Sequence, residues 1–230
     1  MIYVFYSYKG GVGRSMALAN VAELFYQAGL KVLVVDLDLE APGLEQFFPD
    51  RIDEIVQHLG MMDLLEAYKQ WMSSEEGETE SSLDLGDPEC LKDYLKEYLV
   101  DLHPEQDTGK LWLLPAGQRN GANFIKYVQA VRNFDWEEFY NVWGGEAFFE
   151  SFRQALTRIA DVVLIDSRTG ISEIGSICTF QLADAAILFC APNRQSLEGT
   201  YQVIQNLKDS KLHWTLDKNP PNPVISRAQR

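Results

Sequence analysis

The chain has 230 residues, 46% of them apolar and 23% charged, the make-up of a globular protein able to bury a sizeable core. Lys and Arg number 20 against 34 Asp and Glu, a net charge of −14 with a pI near 4.6, which argues against a general electrostatic grip on nucleic acid or anionic lipid. Cys90, Cys178 and Cys190 form neither a disulfide framework nor a CxxC metal site, the N-terminus has no basic n-region, and no long apolar run occurs, so a cytoplasmic chain without a membrane segment is expected.

Ile2 to Tyr8 is β-branched and aromatic and leads into a glycine cluster. From Ser15 to Ala28, Leu18, Val21, Ala22 and Phe25 recur at helical spacing, and Gly29 supplies a stop. Lys31 to Asp38 (KVLVVDLD) is an apolar run of the kind buried on both faces of a parallel sheet, so the chain opens with a strand, a tight loop, a helix and a second strand.

Residues 49–109 break this rhythm and read as an insertion, with helices expected around Ile52 to Trp71 and Glu89 to Leu102. The stretch from Ser73 to Glu89 between them is expected to be a flexible acidic loop. Residues 73–107 hold 12 acidic side chains against Lys92 and Lys96, so the acidity of the chain is concentrated there. A surface of that sign either docks a basic partner or keeps a loop solvated, and it speaks against coating DNA on that face.

Lys110 to Gly117 (KLWLLPAG) reads as a further strand, and Phe124 to Phe152 as surface helices packed over the sheet, their aromatics serving as core more than as a binding platform. A helix over Phe148 to Ile159, a strand in Asp161 to Gly170, a helical ISEIGSICTFQLA, a strand in Asp184 to Asn193, a helix over Ser196 to Lys208 and a last strand from Pro223 to Ala228 follow. This alternation predicts a doubly wound α/β fold, a mostly parallel sheet flanked by helices, in one domain over 1–230. A strand that begins at Pro223 and ends near Arg230 suggests a longer protein. His58, His103 and His213 show no ligand spacing and read as surface or core histidines.

Three segments carry chemistry. In YKGGVGRS (Tyr8 to Ser15), Gly10, Gly11 and Gly13 let the backbone fold tightly, so that the N–H groups of Gly10, Gly11, Val12, Gly13, Arg14, Ser15 and Met16 and the positive end of the following helix can face phosphate oxygens. Ser15 would offer its hydroxyl to Mg²⁺. In VLVVDLDLEAPGLE (Val32 to Glu45), Asp36 and Asp38 leave a strand two residues apart and share one side of it. In VVLIDSRTG, an apolar run leads to Asp166, with Gly170 four positions on.

The general GxxxxGK[ST] pattern fails at Tyr8 and Arg14, whereas KGGVGRS resembles the deviant Walker A loop, KGGxGK[ST], of the ParA/MinD/nitrogenase-iron-protein class of P-loop ATPases. The resemblance extends over the chain outside 49–109 and is closest to a subset carrying KGGVGR. It implies ATP and Mg²⁺ as ligands and an ATP-dependent homodimer in which Lys9 reaches the phosphates held by the other subunit. It further implies Arg14 on the β- and γ-phosphates, Asp36 and Asp166 with Ser15 about the metal, Asp38 on the attacking water, Leu39 to Leu44 as a switch loop, and Gly170 as a sensor of the γ-phosphate. Pro192 and Asn193, after the Asp184 to Asn193 strand, stand where relatives pass the base, while Ser226 and Arg227 replace the asparagine that often reads adenine.

Arg14 keeps the charge of the usual lysine in a longer, planar group, and Arg168 stands where relatives carry a small residue or proline, with pairing to an acidic neighbour expected. The reading is a slow ATP-hydrolysing switch acting on an unknown protein partner. A nucleotide-gated clamp with little hydrolysis, the regulatory module of a larger signalling or defence protein, stands as the alternative. A tyrosine kinase of the bacterial Walker type would want a tyrosine cluster in residues 202–230, which contain none, and the cysteines for electron transfer are missing.

Overall fold

A computed structural model of the chain describes residues 1–74, 84–105, 109–170, 173–208 and 224–225. Its centre is a seven-stranded sheet in the order β3-β4-β2-β5-β1-β6-β7, made of β1 (Ile2–Ser7), β2 (Lys31–Leu37), β3 (Val100–Asp101), β4 (Lys110–Leu114), β5 (Val162–Ser167), β6 (Ala185–Phe189) and β7 (Val224–Ile225). All pairings are parallel except β3 with β4. The α/β fold expected from the alternation is therefore the one formed.

Strand alternation sends side chains into two separate cores. Val32, Val34, Leu164 and Phe5 face one side, where Leu18, Ala22 and Tyr26 of α1 (Arg14–Gln27) and Ile55 of α2 (Ile52–Gln57) cover them. Val4, Leu33, Val35, Val163, Ile165 and Leu188 face the other. That side is covered by α3 (Met61–Ser73), α4 (Pro88–Leu95), α5 (Asn123–Asn133), α6 (Trp136–Asn141) and α7 (Gly145–Ile159). It also packs on the π-helical turn at Ile177–Leu182, which continues α8 (Glu173–Ser176), and on α9 (Arg194–Lys208). Both faces are dry, which is why the central strands read as unbroken apolar runs.

Two expectations are corrected. The helix expected over Ile52 to Trp71 is two helices, α2 and α3, because Gly60 passes directly over the end of β4. A Cβ there would stand 2.2 Å from the Pro115 carbonyl oxygen, and Met61 and Met62 donate their N–H groups to Pro115 and Ala116. The helix expected over Glu89 to Leu102 ends at Leu95, tightens into a 3₁₀ turn at Lys96–Tyr98 and becomes β3, whose register sets Val100 opposite Leu113. The aromatics of α6 and α7 serve as core, as expected: Phe139, Phe148, Phe149 and Phe152 are fully buried and meet in edge-on contacts, with Phe148 stacked on Phe152.

Of the acidic stretch, 75–83 lies outside the described residues. Its C-terminal part is ordered, with Leu85 buried and Asp87 capping α4 by accepting from the N–H groups of Glu89 and Cys90. The last strand is described only as Val224–Ile225; Ser226 and Arg227 lie outside the described residues, as does His213. His58 faces the Leu59 carbonyl, and His103 pairs with Glu23 and stacks on Tyr26. No helix among the described residues is long and apolar enough to cross a membrane.

Candidate functional site

β1 and β5 are neighbours, yet their carboxyl ends lead to opposite faces of the sheet, β1 into α1 and β5 into α8. The divergence opens a crevice at the strand ends, the place where open α/β sheets receive ligands. Alternation then decides which acids enter it. Asp36 follows Val32 and Val34, and Asp166 follows Leu164, onto the α1 side, and the two are direct partners across β2 and β5.

The loop from Lys9 to Gly13 leaves this edge of the sheet, joining the carboxyl end of β1 to the start of α1. Gly11 and Gly13 have φ of +73° and +80°, a left-handed conformation that a β-carbon would strain, and a β-carbon at Gly10 or Gly11 would meet no atom within 4 Å. Gly13 precedes α1 without any side-chain cap, and the first turn contains no acid. The first N–H groups of a 14-residue helix are thus left for an outside acceptor.

Arg14 is 6% exposed and bridges two strands: Nε donates to Asp166 Oδ1 at 2.5 Å, and Nη2 to Asp38 Oδ2 at 3.0 Å. Its Nη1 is buried without a hydrogen-bond partner, as is Ser7 Oγ at the end of β1. Ser15 Oγ donates to the other oxygen of Asp166 at 2.6 Å. Burial alone would weaken the guanidinium charge, but Asp166 and Asp38 outweigh it and raise the Arg14 pKa. Burial raises that of Asp166, against the pull of Arg14 and Ser15. Asp36 is pushed up to about 8 by burial and then by the charge of Asp166, and its Oδ1 accepts the Asp38 N–H at 3.1 Å.

Residues 3–218 match the family model described as the CobQ/CobB/MinD/ParA nucleotide binding domain. The chain belongs to that family. Among solved structures, the family fold is shared with a ParA family ATPase of Chlorobium tepidum (17% identity, 98% of this chain and 72% of that one, TM-score 0.57). It is shared with the MinD cell division protein of Aquifex aeolicus as well (22%, 98% and 68%, 0.58). The MinD of Pyrococcus horikoshii, solved with Mg-ADP, matches at 21% identity over 92% of this chain and 66% of that one, with a TM-score of 0.55. No curated protein matches in sequence.

The donor set fits the nucleotide and metal that the family implies. The glycine loop is open where β-carbons would stand, α1 offers uncapped N–H groups, and Ser15 Oγ with Asp166 forms a hydroxyl-carboxylate pair of hard oxygens. Mg²⁺ characteristically takes one or two protein oxygens and fills the rest with phosphate and water, and no three-residue cluster of metal-binding side chains occurs among the described residues.

The remaining expected residues are distributed as follows. Lys9 is exposed, its Nζ lying 5.6 Å from the centre of the Tyr8 ring. Val12 is half-buried and Met16 exposed on the first turn. Gly170, with φ of +78°, is clamped to β1: it donates to the Ser7 carbonyl at 3.2 Å and accepts from the Tyr6 hydroxyl at 2.7 Å. Arg168 pairs with an acidic neighbour as expected, Glu40 of the Asp38 loop. Pro192 and Asn193 are exposed, but the Asn193 side-chain oxygen is engaged in capping α9, accepting the Ser196 N–H at 2.9 Å.

Sequence reasoning missed a buried group beside Asp38. Arg119, in the loop after β4, makes two hydrogen bonds of 3.0 Å to Glu45, and Tyr127 of α5 donates to the Leu39 carbonyl at 2.6 Å. The available signal was PAGQRN, a polar stretch leaving the carboxyl end of a parallel strand on the same edge as the glycine loop. Two clefts occur among the described residues. One of about 440 Å³ is lined by Lys92, Trp112 and Arg158, and one of about 640 Å³, between α3 and α5, by Asp63, Lys69, Lys126 and Tyr127.

Proposed function

We propose that the chain is an ATPase that binds Mg·ATP on Lys9 to Met16, closes on a second copy across the nucleotide, and hydrolyses slowly as a switch for a protein partner. One domain performs this, with 49–109 as an insertion between β2 and β4. The observation that carries the reading is the Arg14 bridge, in which a loop cation engages both Asp38 and Asp166 while one of its nitrogens is without a partner. A phosphate at the loop offers the planar guanidinium of Arg14 another pair of acceptor oxygens, and turning to it releases the two carboxylates.

Each residue then has a role set by its place. The loop N–H groups and the start of α1 cradle phosphate oxygens. Ser15 Oγ and Asp166 would hold Mg²⁺ directly or through water, with Asp36 in the outer water shell. A Mg²⁺ held by these residues would supply positive charge beside the transferring phosphoryl group. Asp38, relieved of Arg14, accepts a hydrogen bond from the attacking water and orients it. Exposed Lys9, its Nζ over the Tyr8 ring, would extend toward the phosphates of the second copy. Gly170 gives up the Ser7 carbonyl to donate to a γ-phosphate, while Pro192 and the backbone near Asn193 pass the base.

The clamp is the second reading, favoured by the engagement of Asp38 with Arg14, which a longer cation relieves less completely than a lysine would. The test is steady-state phosphate release with Mg·ATP, with molecular mass followed on the same samples, for the wild type and Arg14→Lys. Turnover with doubling of mass supports the switch. Doubling without turnover, with turnover gained in Arg14→Lys, selects the clamp, and absence of both ATP binding and turnover overturns the proposal.

A further inference from the structure

The loop after β2 is tied down at more points than its own turn requires. Asp38 is held by Arg14 and by the Asp36 carboxylate, Leu39 by Tyr127, Glu40 by Arg168, and Glu45 by Arg119. The ties to Leu39 and Glu45 differ from the others in depth. Leu39 is 1% exposed, and the side chains of Arg119 and Glu45 are 8% and 7% exposed.

We infer that Arg119 and Tyr127 are positioning residues for Asp38, holding its loop from the far side through Glu45 and the Leu39 carbonyl. This rests on the ATPase reading above. In the ATPase reading Arg14 turns from Asp38 to the phosphate, so the place of Asp38 during turnover depends on the anchors that remain. The Arg119–Glu45 pair is bidentate, which fixes orientation as well as distance, and breaking one half leaves a buried charge alone. Tyr127 is braced in turn, because the Arg119 guanidinium carbon lies 6.0 Å from its ring centre. The two anchors leave different elements, the β4–α5 loop and α5 itself, and Arg119 is further fixed by donating its N–H to the Val56 carbonyl at 2.7 Å. The loop bearing Asp38 is thereby attached to a rigid frame independent of the phosphate loop.

The test uses Tyr127→Phe, which removes one hydroxyl and keeps the ring, and Arg119→Lys, which keeps charge and loses the paired bonds. Turnover is expected to fall about tenfold in each, since displacing a reacting group by about 1 Å costs up to a hundredfold. The Kd for a fluorescent ATP analogue is expected to change less than about twofold, because the residues that bind phosphate are untouched. Tyr127→Phe is also made in an Asp38→Ala background, where it should have no effect on residual turnover. An equal fall in both backgrounds, or no fall in the wild-type background, overturns the inference. Hydrogen exchange of amides 37–45 in the nucleotide-free protein is measured alongside. Faster exchange there in both variants supports the anchors, and unchanged protection overturns them, whether or not the wild type turns over. A wild type with neither binding nor turnover removes the ATPase reading on its own account.

Discussion

Replacing Arg14 by alanine tests the central geometric claim. The side chains of Arg14, Asp166 and Asp38 are 6%, 4% and 13% exposed, so water screens the bridge little. Truncation leaves Asp166 with Ser15 alone and Asp38 with no cation, and an uncompensated buried charge of this kind costs about 3–5 kcal/mol. For a domain of this length each kcal/mol moves Tm by about 2–4 °C, so Arg14→Ala is expected to melt roughly 6–20 °C below the wild type. The deficit has a predicted pH dependence. Burial already raises the Asp166 pKa in the folded chain, and loss of Arg14 removes the largest influence that lowers it. The folded variant therefore binds a proton more readily than the unfolded chain, and stability rises as pH falls toward the carboxylate range. Urea unfolding followed by tryptophan fluorescence at pH 8 and pH 6 would measure both effects. A loss below about 1 kcal/mol at pH 8 would refute the bridge as an ion pair of the nucleotide-free protein.

Asp36 gives a second titration: with a pKa of about 8 when folded against 3.8 as a free side chain, the folded protein keeps a proton that the unfolded chain loses from about pH 4 upward. Its contribution is complete below that window and lost as pH rises through it, by up to about 1.4 kcal/mol per pH unit, and Asp36→Asn should flatten the slope in urea titrations. Lys9→Ala should leave the unfolding free energy within about 0.5 kcal/mol of the wild type, since Lys9 is exposed, yet abolish the ATP-dependent doubling of mass proposed above, with light scattering as the measurement. A doubling that persists in this variant removes the lysine from the interface. Gly199→Ala places a methyl 2.1 Å from Tyr8 Cδ1, so the ring that begins the phosphate loop must move. A loss of about 1–3 kcal/mol and weaker binding of the fluorescent ATP analogue are expected, and an unchanged urea midpoint would refute the packing of that ring on α9.

What was legible in advance rests on local chemistry. The glycines between β1 and α1 are required by the backbone itself, as the left-handed Gly11 and Gly13 attest, and the apolar runs of β2 and β5 announce strands covered on both faces. Alternation set Asp36 and Asp38, two residues apart, on one side of their strand, while the sheet register placed Asp166 beside Asp36 and made that side the one covered by α1. The pairing of Arg168 with an acid was likewise expected from charge, although its partner, Glu40, was not.

The elements that sequence reasoning misplaced were decided at longer range. Nothing in the apolar pattern of residues 52–71 signals a break, since Gly60 is demanded by the Pro115 carbonyl, which lies 55 positions away along the chain. Val100–Asp101 is too short to show a strand period and becomes β3 only because β4 presents an open edge. The same holds for the site. Arg119, Glu45 and Tyr127 carry no motif, and their association with the Asp38 loop arises from the sheet order that brings β4 beside β2. The amino-acid sequence by itself determined which backbone could fold into a tight glycine loop between β1 and α1 and which apolar strands would end in carboxylates. The tertiary structure decided how the loop bearing Asp38 is held, because burial and distance between side chains from separate elements are properties of the packed chain and not of any one segment.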